Sequence, residues 1–99
     1  MSELTIVGKR VVVRDSFRGR EWWSLPGLYR KALAADNKGD YTDAIPFLCR
    51  VVESWEFAGD PAVAASYEQL EVMAELRPLA QGAIMTVAEA GFPKRDAGG

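Results

Sequence analysis

Residues 3–14 constrain the fold more than any other part of the chain. Glu3-Leu-Thr-Ile-Val7 and Arg10-Val-Val-Val-Arg14 flank Gly8-Lys9. Two β-favouring runs joined by a two-residue loop that begins with glycine read as a β-hairpin with a type II′ turn. Pairing Val7 with Arg10 sets Ile6 opposite Val11, Leu4 opposite Val13 and Glu3 opposite Arg14. Leu4, Ile6, Val11 and Val13 then share one face, while Thr5, Val12 and a Glu3–Arg14 ion pair occupy the other. An isolated hairpin is marginal in water, so the aliphatic face must pack on helices or on another chain.

The rest of the sequence supplies the helices. Residues 15–27 are irregular but hold Phe17, Trp22, Trp23 and Leu25, with a helical turn expected near 20–23. A helix is predicted over 26–35, since proline suits a first turn. It turns Leu28, Ala32, Leu33 and Ala35 inward and Arg30 and Lys31 outward. The polar stretch 36–40 breaks it, and Asp40 or Thr42 caps the next helix, predicted over 42–54. There Ala44, Ile45, Leu48, Val51, Val52 and Trp55 make one apolar stripe. After the turn-rich 58–61, Ser66 and Gln69 have capping-box spacing. A helical period runs from there to Ala90 with a break near Pro78, either as a short helix over 67–73 followed by a second from about 74 or as one kinked rod. The predicted class is α+β and mostly α-helical: an N-terminal hairpin followed by three to four helices in a single domain over 1–90. Residues 91–99 are expected to be a disordered tail.

Composition excludes several kinds of chemistry. The chain has no histidine and one cysteine, Cys49, which removes the commonest general base and any disulfide or thiolate–imidazole zinc site. Ser16, Ser24, Ser54 and Ser66 therefore have no histidine to activate them, and Cys49 lies on the apolar stripe as a structural thiol. Asp36, Asp40 and Asp43 lack the alternating ligands of a calcium loop and read as capping residues. Gly8-Lys9 lacks the remaining glycines of a phosphate loop. No enzyme activity, metal or cofactor is expected. Neither a secretory signal nor a membrane-length apolar run is visible, so a cytoplasmic location without membrane contact is expected.

Charge is unevenly spread. Residues 1–31 carry +4 and residues 32–99 carry −6, an asymmetry that suits head-to-tail homo-oligomers. Arg18-Gly-Arg-Glu-Trp-Trp23 interleaves arginine with aromatics, as single-strand nucleic-acid binders do. With a pI near 5.1, core packing or a protein interface is favoured over nucleic acid. The candidate partner-binding residues are Trp22, Trp23 and Tyr29, with Trp55 and Phe57 second.

The order of elements resembles the tail assembly chaperones of long-tailed bacteriophages. The hairpin around Gly8-Lys9, the helix ending Val51-Val-Glu-Ser-Trp-Glu-Phe57, the Gly59-Asp-Pro61 loop and the helical region led by Ser66 to Leu70 carry the resemblance, which covers about 3–85. The Phe17/Trp22/Trp23 cluster and the break at Pro78 depart from it. The resemblance implies a non-enzymatic chaperone, made in the host bacterial cytoplasm, that binds the tape-measure protein or another phage tail protein. It also implies a longer form made by ribosomal frameshifting, for which Phe92-Pro-Lys94 offers a site. The alternatives are a structural virion component (a tail terminator or head–tail connector) and a small bacterial interaction or regulatory domain.

Overall fold

The N-terminal hairpin forms with its turn one residue earlier than its glycine suggests. In the computed structural model, which describes residues 1–90, β1 (Ser2–Ile6) pairs antiparallel with β2 (Lys9–Val13), Leu4 opposite Val11 and Ile6 opposite Lys9. The loop is Val7-Gly8, with φ of 51° and 77°, the pair of positive values that a type I′ turn requires. The expected register is thus corrected by two residues. A two-residue slip preserves the alternation of faces, so Ile6, Val11 and Val13 are still buried and Leu4 half-buried. It does change the ion pairs: Glu3 meets Arg10 at 3.7 Å, and Arg14 instead meets Glu53.

A third strand extends the sheet where a helix was predicted. The helix α2 (Ile45–Val51) is only seven residues long, and β3 (Val52–Trp55) pairs antiparallel with β2, giving the order β1-β2-β3. Val13 lies opposite Val52, Val12 opposite Ser54 and Val11 opposite Trp55, with a bulge between Val12 and Val13. The Arg14 amide donates to the Val51 carbonyl at 2.9 Å and the Glu56 amide to the Arg10 carbonyl at 3.0 Å, so the ladder continues past both ends. The bulge explains the misreading. An extra residue in a strand lets side chains three apart share a face, so Val52 and Trp55 mimic helical spacing while lying on a strand.

The helices cover one face of this sheet. The helix α1 (Leu25–Lys38) starts with Pro26 in its first turn and ends at Gly39, whose φ is 78°. It runs three residues beyond the predicted end. Leu25, Tyr29, Ala32 and Ala35 are its buried positions; Leu33, expected inside, is exposed. Asp40 does cap the following 3₁₀ turn, Tyr41–Ala44, accepting from the Thr42 amide at 3.1 Å.

The region predicted over 66–90 as two successive helices or one kinked rod is three pieces: a 3₁₀ turn at Ala64–Gln69, a π turn at Val72–Leu76 and α3 (Arg77–Glu89). The break falls at Leu70 and Glu71, both in extended backbone, and Pro78 sits in the first turn of α3, where its missing N–H costs nothing. Ser66 is inside the 3₁₀ turn and caps no helix; the Gln69 side chain donates to its carbonyl at 2.9 Å. Leu79, Ala80, Ala83, Ile84 and Val87 face the interior. Gly82 brings α3 onto β1, since a Cβ there would lie 2.7 Å from a Leu4 methyl. The buried side chains of the sheet and all three helices form one contiguous core. The predicted tail at 91–99 lies outside the described residues.

Candidate functional site

The segment between β2 and α1 is where large apolar side chains meet the surface. Its start is pinned: Asp15 accepts from the Ser2 hydroxyl at 2.9 Å and pairs with the N-terminal amine at 3.2 Å. The hydroxyl first, and then the amine, hold the Asp15 carboxyl below the ordinary range. Gly19 then turns the chain at φ 100°, ψ 162°, a conformation essentially confined to glycine. The 3₁₀ turn Arg20–Trp22 follows, closed by the Trp22 and Trp23 amides donating to Gly19 and Arg20 carbonyls at 3.1 Å each.

This turn sends the two tryptophans in different directions. Trp22 is half-buried, its ring edge-to-face with Phe17 at 5.0 Å between centroids. The Arg50 guanidinium from α2 lies 4.9 Å from the Trp22 ring and that of Arg14 lies 5.7 Å from it. Arg50 also donates to the Glu21 carbonyl. Trp23 is 74% exposed, with the Arg20 guanidinium 5.5 Å from its ring. Phe17, Gly19, Trp22, Trp23 and Pro26 line a groove of about 240 Å³, room for one large apolar side chain. The guanidiniums over its two tryptophans are those of Arg14, Arg20 and Arg50. Arg14 is paired with Glu53, whereas Arg18, Arg20 and Arg50 have no carboxylate at ion-pair distance among the described residues.

The other three candidate partner-binding residues lie away from this groove, Tyr29 and Phe57 buried and Trp55 half-buried. Tyr29 is 7% exposed and packs edge-on to Phe47 at 6.1 Å. Phe57 is buried, with Trp55 5.4 Å away edge-on and Tyr67 4.8 Å beyond it. The Trp55 indole N–H donates to the Gly59 carbonyl at 2.8 Å and the Tyr67 hydroxyl to the Pro61 carbonyl at 2.7 Å. These rings anchor the 58–69 connection. Burial, then the neighbouring Cys49 and Asp60, push the Tyr67 hydroxyl well above its ordinary pKa.

The remaining candidates have structural partners. Cys49 is half-buried, and burial followed by the Asp60 carboxylate pushes its thiol up, away from the reactive thiolate. Asp36 accepts from the Tyr41 hydroxyl at 2.7 Å and from Gln81 at 3.1 Å, tying α1 to α3. The first of these bonds does most to lower its carboxyl. Among the described residues no group of three or more thiol or carboxylate side chains is placed to hold a metal ion. No helix there is long and apolar enough to cross a membrane.

Arg14 and Arg50 are the site residues that sequence reasoning missed. Nothing local ties Arg50 to the 17–23 segment; only the packing of α2 beside it does.

Comparison with protein-family models, with curated proteins and with solved structures finds no match.

Proposed function

We propose that the chain is a tail assembly chaperone of a long-tailed bacteriophage, which binds an apolar segment of the tape-measure protein in the Trp22–Trp23 groove. The observation that carries the reading is Trp23, an indole 74% exposed beside an apolar groove, in a chain whose other tryptophans are at least half covered. A lone exposed apolar residue is ordinary, but a tryptophan beside a groove flanked by arginine has the make-up of a protein-binding hot spot. The opening hairpin and the Gly59-Asp-Pro61 loop after α2 support the chaperone context, while residues 52–55, which the resemblance puts at a helix end, form β3. Tape-measure helices expose apolar stripes until the tail tube encloses them, and the groove suits one side chain of such a stripe.

The test is co-expression with the tape-measure protein of the same phage. The native chain is expected to keep that protein in solution and to co-purify with it, and Trp23→Ala is expected to lose both effects while keeping its melting temperature. Equal recovery with and without the chain would overturn the proposal. Presence of the chain in purified virions would replace it with a structural role in the particle.

A further inference from the structure

Two guanidiniums on the rings of the Trp22–Trp23 groove keep most of their hydrogen-bonding capacity unspent. A guanidinium carries five N–H donors in a planar fork. Arg50 gives one to the Glu21 carbonyl and lies 4.9 Å from the Trp22 ring. Arg20, on the exposed side, lies 5.5 Å from the Trp23 ring. Neither has a carboxylate at ion-pair distance among the described residues. The other charges placed at the groove are Arg14 and Glu21. Arg14, 5.7 Å from the Trp22 ring, is matched by Glu53. The Glu21 carboxylate stands against the groove wall, where a Cβ on Gly19 would come within 2.9 Å of it, and offsets one of the two free guanidiniums. These groups together leave one positive charge, well within a Debye length of anything seated between the rings.

We propose that the groove takes its apolar side chain from an acidic segment: a helix that presents one leucine-like residue with aspartate or glutamate three or four positions away on either side. This names the chemistry of the partner and rests on the reading of the groove as a receptor for an apolar side chain. Positions three and four apart share a helix face, so the anchor fills the groove while a carboxylate reaches each guanidinium. Arg50 is already held by Trp22 and the Glu21 carbonyl, so little side-chain freedom is lost when a carboxylate docks on it. The planar fork then meets the carboxylate with two parallel bonds. Arg20, on the exposed indole, is the residue that sets specificity, because a basic segment would meet its charge unrelieved. A single-stranded nucleic acid fits less well, since stacking of successive bases needs several open ring faces, and Trp22 already holds two guanidiniums.

The experiment separates the acidic partner from the groove itself. The whole chain is titrated at low salt with four alanine-based helical peptides, following tryptophan fluorescence. Three carry one leucine with glutamate, glutamine or lysine four positions to either side; the fourth keeps the glutamates and has serine for leucine. The glutamate peptide is expected to bind about 2- to 30-fold more tightly than the glutamine peptide, the range that two exposed ion pairs give, and the lysine peptide most weakly. Added salt should close the gap. Arg20→Gln, at an exposed site, should narrow it, and Arg20→Lys should restore most of it. Equal binding of the glutamate and glutamine peptides, or a gap that Arg20→Gln leaves as wide, overturns the acidic partner and leaves the groove reading standing. A serine peptide that binds as tightly as its leucine counterpart, or no binding by any peptide, overturns both. Tighter binding of an oligothymidylate than of the glutamate peptide overturns the proposal in favour of nucleic acid.

Discussion

Replacing Val7 with asparagine should stabilise the protein, although it puts a polar residue where an apolar one stood. Val7 is a β-branched residue at φ 51°, where its Cβ crowds the following carbonyl. That conformation costs roughly 1–2 kcal/mol for an ordinary L-residue and is rarer still for a β-branched one. Asparagine visits it readily and is the favoured partner of glycine in a type I′ turn. Val7 gives up little in exchange. It is 62% exposed, so the apolar burial lost on substitution is a fraction of the ~1.5 kcal/mol that a fully buried valine gains. The net effect of Val7→Asn is a gain of about 1 kcal/mol, or about 4–8 °C in melting temperature for a domain of this size. Val7→Gly relieves the same strain but adds freedom to the unfolded chain, so it should fall between the two. Thermal unfolding followed by circular dichroism, with urea denaturation as a check, reads both. A Val7→Asn protein no more stable than the native one refutes the type I′ turn and, with it, the hairpin register.

Gly19→Ala should destabilise the protein by about 1–3 kcal/mol, from its backbone conformation at φ 100°, ψ 162°; its tryptophan fluorescence should shift towards that of exposed indole. Phe47→Ala, in the fully buried core, should cost about 3–5 kcal/mol, against less than about 0.5 kcal/mol for Trp23→Ala, by urea denaturation of both. The folded Tyr67 pKa is raised, so its contribution is intact below the phenol's ordinary value near 10 and lost as the pH rises past it. Alkaline unfolding should set in there, and Tyr67→Phe should flatten that limb of the stability profile. Asp36 is shifted the other way, mainly by the Tyr41 hydroxyl. Its contribution holds above the ordinary carboxylate range and disappears as pH falls through the lowered value, a loss that Tyr41→Phe should shrink.

Patterns with a short period were legible in the sequence, and contacts between distant segments were not. The alternation of Leu4, Ile6, Val11 and Val13 identified the buried face of the hairpin even with the wrong register, because face depends on parity alone. The helical spacing of Leu79, Ala83 and Val87 likewise placed α3. What failed was Val52–Trp55, where helix and bulged strand make the same demand on spacing and only pairing with β2 decides between them. The burial of Tyr29 and Phe57 was not legible for a related reason. An aromatic ring has the same sequence signature in a core as on an interface, and the difference lies in what packs against it.

The adjacent tryptophans show how the fold resolves such a choice. On a 3₁₀ turn, neighbouring side chains diverge by about 120°, so Trp22 and Trp23 cannot both face inward. Trp22 is the one that Phe17 and the Arg14 and Arg50 guanidiniums hold, and Arg14 is itself fixed by Glu53 on β3. The bulge that sets Glu53 between Val52 and Ser54 therefore reaches the groove through one ion pair and one ring contact. Glu53→Gln should leave Trp23 as exposed as before but loosen Arg14 from Trp22, broadening the groove. Iodide quenching of tryptophan fluorescence measures it: quenching that rises in Glu53→Gln and does so equally when Trp23 and Trp55 are both replaced by phenylalanine assigns the change to Trp22. Unaltered quenching would break the link between the third strand and the site.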